Sequence, residues 1–232
     1  MKTRFHVIVM LGVMLTSLSA CEGIFHGVYD EPSVNELNEF GFIEINDEQH
    51  SGTIYIDATD YTKWIYIDLH AQAIDSTRIE NENGVETPLA PATTLPKDWD
   101  FAVHRYDSKT NGGKVLETNS TGFDVLIASG SIPQGNYVAD IETTDKVTID
   151  MSGMMEGNIV YAKSDYNAEL SKWLNVDKSS MPPVYTLSNK VYILKLKDGT
   201  HAAIRLSDFK NASMVKGFMK IEYIYPFDAV IK

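Results

Sequence analysis

The chain has 232 residues, enough for one large or two small domains, and its 44% hydrophobic content is compatible with a packed core. The formal net charge is −12 and no basic stripe is present, which argues against a nucleic-acid partner. Cys21 is the only cysteine, so no intramolecular disulfide can form.

The first twenty residues, "MKTRFHVIVMLGVMLTSLSA", place Lys2 and Arg4 ahead of an apolar run that ends in small residues. That pattern predicts a secretory signal peptide over residues 1–20, too short to be a lasting membrane span. The junction "LSAC", Leu18 to Cys21, resembles the bacterial lipobox, in which the cysteine thiol is acylated and the chain is cut just before it. An ordinary signal peptide followed by a chance cysteine is the alternative. A lipidated Cys21 would tie the protein to a membrane by burying acyl methylenes. Cleavage removes two positive charges, taking −12 to −14.

Residues 21–52 are acidic and weakly patterned, and read as a lipidated tether that partly packs. From residue 53 to 232 the pattern is that of one all-β domain. In "GTIYIDATDYTKWIYIDL", Ile54 and Ile56, then Trp64 and Tyr66, follow the two-residue period of a half-buried strand. "STRIENENGVETPLAPATTLP" reads as a connection with three prolines, or as a short hairpin turning on Asn83-Gly84. "DWDFAVHRYDSKTNGG" suggests a strand and a glycine turn, and "TGFDVLIASGSIPQGNYVADI" and "KVTIDM" suggest further strands. The one good helix signal is residues 164–176, where Tyr166, Leu170, Trp173 and Leu174 fall at helical spacing behind a Ser164 or Asp165 cap. A hairpin across Asp198-Gly199 and a last strand over "KGFMKIEYIYPF" complete the chain. The expected fold is all-β, with at most one or two short helices.

No nucleotide-binding glycine loop, zinc-protease helix or serine-hydrolase elbow is present. The six histidines are dispersed, without zinc-ligand spacing. His104, in an alternating run beside Val103 and Tyr106, reads as a structural histidine rather than a base. Arg105 and Asp107, two residues apart, read as neighbours on one strand face, paired structurally. Nothing anchors an enzymatic reading, and the protein is expected not to be an enzyme.

The blocks "WDFAVHRYD" (99–107) and "YTLSNKVY" (185–192), followed by "GFMKIEYIYPF", resemble the HmuY family of haem-capturing lipoproteins from anaerobic Gram-negative bacteria. The similarity runs from about Thr53 to Phe227. It implies an all-β fold, haem b held non-covalently between projecting loops, and a surface or outer-membrane location with possible release. The implied partners are host or bacterial haemoproteins as haem donors, and a TonB-dependent outer-membrane receptor as acceptor. The best-known member of the family ligates haem iron with two histidines, and neither of those positions holds a histidine here. The first falls in "DMSGMMEG" (150–157) and the second in "KSSMPPVYTLSNK" (178–190).

The resemblance therefore implies Met154 and Met181 as the iron ligands, with Met155 as the alternative for the first. Thioether sulfur is an established haem axial ligand and a soft donor. Methionine also fills core gaps. Met151 continues the face of Val147 and Ile149, and Met214 and Met219 are expected to pack near the last strand. Two other readings remain: a glycan binder stacking sugars on Trp64, Trp99 or Trp173, and a receptor-accessory lipoprotein that has lost haem.

Overall fold

A computed structural model describes residues 40–180 and 182–231. Cys21 and the signal peptide expected over residues 1–20 lie outside the described residues, as does Met181. The strands in chain order are β1 (Phe42–Asn46), β2 (Ser51–Asp57), β3 (Lys63–Asp68), β4 (Ala73–Ile79), β5 (Glu86–Pro88), β6 (Phe101–His104), β7 (Asp107–Thr110) and β8 (Lys114–Glu117). There follow helix α1 (Phe123–Ala128), β9 (Val138–Ala139), β10 (Ile141–Gly153), β11 (Asn158–Tyr166), β12 (Leu174–Asp177), β13 (Val184–Leu187), β14 (Tyr192–Lys195), β15 (His201–Lys210) and β16 (Lys216–Ile224).

Two antiparallel sheets face each other. One has seven strands in the order β1-β2-β16-β15-β14-β8-β9, the other five in the order β5-β4-β3-β6-β7. The main core lies between them: Ile54 and Ile56 of β2, Ile65 and Ile67 of β3, Phe101 and Val103 of β6, Ile204 and Leu206 of β15, and Met219 and Ile221 of β16. Both sheets are also covered outside. Trp64, Tyr66 and Ala102 turn away from the main core and meet Val147 and Ala162 of the β10–β11 hairpin. On the far side α1 sets Leu126 against Ile193, Ala203 and Phe227. Burial on two faces explains why "WIYI" is continuously apolar, whereas a sheet with one wet face alternates.

The all-β expectation holds, and the structure decides or changes several local ones. Within the stretch expected as tether, residues 42–52 belong to the β domain, because β1 pairs with β2 from Phe42↔Tyr55 to Asn46↔Ser51 and edges the large sheet. The Asn83-Gly84 segment is a hairpin, with Ile79 opposite Glu86. The helix expected over 164–176 is a single 3-10 turn, Leu170–Trp173. Tyr166 is still strand, opposite Ile141. The Asn167 side chain then accepts from the Leu170 amide (2.9 Å) and donates to Asp140 (2.7 Å), and Leu174 is already extended toward Leu187. Leu170 and Trp173 are buried, so helical spacing reported burial over one turn only.

The true helix, α1, lies where a strand was expected. Val125 and Ile127 give it a β-like composition, but Phe123, Leu126 and Ile127 sit at helical spacing on the sheet. Ser129 Oγ donates to the Leu126 carbonyl (2.6 Å), and Gly130 (φ +65°) ends the helix.

Arg105 and Tyr106 form the turn between β6 and β7, with Arg105 at φ +52°. The expected single strand face carrying Arg105 and Asp107 is thus replaced by a hairpin. The Arg105 guanidinium donates to the carbonyls of Ala58 (3.0 Å) and Thr59 (2.7 Å), and Ala58 N donates to Gly217 O (2.9 Å). These bonds gather the ends of β2 and β6 and the start of β16 at one end of the sandwich. At the other end, Tyr225 N donates to His50 O (2.8 Å), and His70 Nε2 meets Asp198 (3.0 Å). β15 spans ten residues between the ends, roughly 30 Å at strand rise.

Candidate functional site

Two hairpins pair with no other strand among the described residues: β10–β11 and β12–β13. The first is rooted on β7, where Asn167 N donates to Ser108 O (2.7 Å) and Thr110 N donates to Asp140 (2.6 Å). It crosses Trp64 at Val147 and runs on to Gly153. The second is rooted at the β6–β7 turn, where Trp173 Nε1 donates to the Tyr106 carbonyl (2.7 Å). Lys146 of the first hairpin and Lys178 of the second both lie within electrostatic reach of Asp107. The two hairpins therefore flank the Arg105–Tyr106 end.

The tip of the first hairpin is the 3-10 turn Met154–Glu156. Gly157, at φ +79°, donates its amide to Met154 O (3.1 Å) and closes the turn. At Gly153 a Cβ would stand 2.6 Å from Asn158 O. These two glycines frame the methionines and force the reversal. Met154 is half-buried, while Met155 is 69% exposed. Met151 is half-buried behind them, in line with Ile149, which packs beside Val147.

The second hairpin turns through residues 178–183, with Asp177 accepting from Ser179 N (2.8 Å). Met181 falls between β12 and β13 in the sequence and is outside the described residues. An aromatic group packs the second hairpin onto the sandwich: Tyr185 of β13 stacks on Phe209 (5.8 Å, 19°) and meets Tyr106 edge-on (5.6 Å). Lys216 Nζ sits 4.5 Å above the Tyr185 ring. Met155, Val184 and Met214 leave large apolar side chains in solvent at this end. Met214 was expected to pack, but it sits at φ +67° in the β15–β16 turn and is exposed, while Met219 is buried in the core as expected.

Burial pushes the Asp107 carboxyl up to about 7, and Lys178, Lys146 and Arg105 pull it partly back. This end thus presents aromatic and thioether groups ringed by cations. The sequence marked the methionines. It missed Tyr106, Tyr185, Lys146 and Lys178, although Lys146 and Lys178 precede the two methionine turns.

The histidines lie elsewhere among the described residues. His104 is fully buried, its Nε2 donating to the Tyr61 carbonyl (2.6 Å), and desolvation lowers its pKa to about 4. The structural reading of His104 holds. His201 is bound to Asp228 (2.9 Å) at the opposite end, near His50 and His70. Trp64 and Trp173 are buried, and Trp99 is half-buried against Tyr66.

A family model described as HmuY protein matches residues 60–223. A Bacteroides vulgatus ATCC 8482 structure, provisionally described as an HmuY-like haem-binding protein, is 60% identical over 81% of this chain and 98% of its own, with a TM-score of 0.73. A Bacteroides fragilis NCTC 9343 structure, provisionally described as a lipoprotein, is 52% identical over 83% of this chain and 98% of its own, also with a TM-score of 0.73. The apo HmuY analogue of Tannerella forsythia is 29% identical over 75% and 94% of the two chains, with a TM-score of 0.61. No curated protein matches. The chain belongs to the HmuY family.

Proposed function

We propose that this protein is a lipid-anchored haemophore that captures haem b non-covalently between its two hairpin tips, with Met154 and Met181 as iron ligands. One observation supports the reading: the tip of the β10–β11 hairpin carries Met154 and Met155, with Met155 in solvent, and the described histidines are buried or at the other end. A flat apolar macrocycle fits such a surface. The half-buried Tyr106 and Tyr185 offer ring contacts, and Lys146, Lys178 and Lys216 offer cations to the two propionates. Thioether sulfur is neutral and soft, so the site favours ferrous over ferric iron.

Capture from host or bacterial haemoproteins and delivery to a TonB-dependent outer-membrane receptor complete the role. No covalent step is required of the protein. Cys21 carries the lipid that holds it at the outer membrane, with possible release. A glycan platform on Trp64 or Trp173 finds no support, because both rings are buried.

The test is a pair of haem titrations of the mature chain, one in air and one after dithionite. Tighter binding of ferrous haem, with a sharp Soret shift, is expected. Equal or tighter ferric binding, or no Soret shift in either state, would overturn the two-methionine reading.

A further inference from the structure

The end opposite the hairpin tips holds a second set of donors. Asp68 closes β3, His70 lies in the turn that follows, and Asp100 immediately precedes β6. His70 Nδ1 stands 3.2 Å from Asp100 Oδ2 and 3.8 Å from Asp68 Oδ1, and the three donor atoms all lie within 4.8 Å of one another. The 3.2 and 3.8 Å separations are close to the distance between neighbouring ligand atoms around a small cation held at about 2.0–2.2 Å.

The far side of the ring is also fixed. His70 Nε2 lies 3.0 Å from Asp198 Oδ2, in the β14–β15 turn. A carboxylate only accepts, so Nε2 carries a proton. Nδ1 then faces two further carboxylate oxygens, and between them there is room for either a second proton or a cation. An imidazole with one nitrogen on a carboxylate and the other on a metal is the common arrangement of metal-bound histidine.

Charge and space point the same way. Three carboxylates surround one imidazole. Asp100 is 8% exposed and meets His70 Nδ1 at 3.2 Å. The Leu69 amide, donating to Asp100 Oδ2 (2.7 Å), fixes that oxygen. His70 is half exposed and lines a cavity of about 200 Å³ together with Asp47, His50, Tyr223 and Tyr225. Of the donor set it is His70 that borders this space, so water reaches the imidazole from that side. Tyr225 packs edge-on against the His70 ring (4.9 Å) and limits its rotation.

We propose that Asp68, His70 and Asp100 form a binding site for a divalent first-row transition ion, with Asp198 orienting His70 from behind. One nitrogen and two carboxylate oxygens suit zinc, manganese or cobalt better than calcium, which prefers oxygen alone. The site lies about one strand length from the hairpin tips and is independent of the haem reading.

The experiment is calorimetric titration of Zn2+ into the untagged, haem-free mature chain, with Co2+ absorption as a second readout. One equivalent should bind, and Zn2+ should raise the thermal midpoint. His70→Ala and Asp68→Asn should each weaken binding at least 100-fold. Asp198→Asn, acting through the ring, should weaken it about 10- to 100-fold. His201→Ala, at the same end but outside the set, should leave it unchanged. Asp68→Asn keeps an acceptor for the Ala71 amide now bound to Asp68 Oδ1 (2.8 Å), so it serves if His70→Ala disturbs the fold. Ferrous-haem titration of the same variants should match the parent, which separates the two sites. Absence of Zn2+ binding, or equal binding in His70→Ala and Asp68→Asn, would overturn the proposal.

Discussion

At one end of the sandwich the chain turns on Arg105 and Tyr106, between two hairpins, the first of which carries Met154 and Met155 on its tip. At the other end Asp68, His70, Asp100 and Asp198 converge on one imidazole. The same strands supply both ends, yet the first offers soft sulfur and aromatic faces and the second hard oxygen and a fixed nitrogen. Strand termini inherit the rigidity of the core between them, so each end can hold donors at set positions without forming a core of its own. The difference teaches that binding chemistry here is decided by the connections, and the strands decide only where those connections meet.

Three variants separate the core from the tips, in order of expected effect. Trp173→Ala removes a fully buried indole from the main core and its bond to the Tyr106 carbonyl. It should cost about 3–5 kcal/mol of stability, read as a lower denaturant midpoint, and should loosen the root of the β12–β13 hairpin. Met154→Ala with Met181→Ala should leave the midpoint close to the parent's and weaken ferrous haem about 100-fold, near 2.7 kcal/mol. Met155→Ala should change haem affinity less than about threefold. A reversed ranking of Met154 and Met155 would move the first ligand by one residue, and a double variant that titrates like the parent would remove the ligand assignment.

Acid should act on the core before it acts on the tips. His104 is buried and its pKa is lowered to about 4, so the folded chain resists a proton that the unfolded chain accepts near 6.5. That stability is present above pH ~6.5 and is lost as pH falls toward 4, about 2 kcal/mol of it by pH 5. Urea unfolding at pH 7 and pH 5 should show the loss, and His104→Gln should flatten the slope even if it lowers stability at pH 7. A thioether takes no proton in this range, so ferrous binding by the chain that remains folded should change little. A haem-binding midpoint near 6.5 would instead indicate an imidazole ligand.

Much of the framework could be read from alternation. Ile54 and Ile56, the Asp198-Gly199 hairpin and the last strand lie as the two-residue period places them. The period failed where one turn of helical spacing met a strand, at Leu170 and Trp173, and where β-branched residues built α1. Both failures are tertiary: Asn167 redirects the first segment, and the sheet beneath selects the helix of the second. Of the proposed sites, the methionine pair comes from the sequence, because the family blocks fix its place in order. The rings and cations around them were not visible, since Tyr106, Lys146 and Lys178 come from three separate elements. His70 carried no signal at all, because its partners lie 2, 30 and 128 positions away.

The smallest effect tests how the cationic rim works. Asp107 sits among Arg105, Lys146 and Lys178, and burial holds its pKa at about 7. A raised carboxyl pKa means that ionisation costs the folded state. Its contribution is most favourable below the unfolded value of 3.8 and is lost as pH rises through about 7. Asp107→Asn removes that cost, and should stabilise the protein by about 1 kcal/mol at pH 8 with little change at pH 4. It also frees the lysines from a competing anion. If they hold propionates, ferrous-haem affinity at pH 8 should rise about two- to fivefold in this variant and fall by a similar factor in Lys146→Ala or Lys178→Ala. The gain should shrink as salt is added, because these charges lie at a solvent-facing edge. A stabilised Asp107→Asn with unchanged haem affinity would keep the carboxyl in the fold's pH dependence and remove the lysines from the haem site. The methionine tips would then have to hold the macrocycle by ligation and ring contact alone.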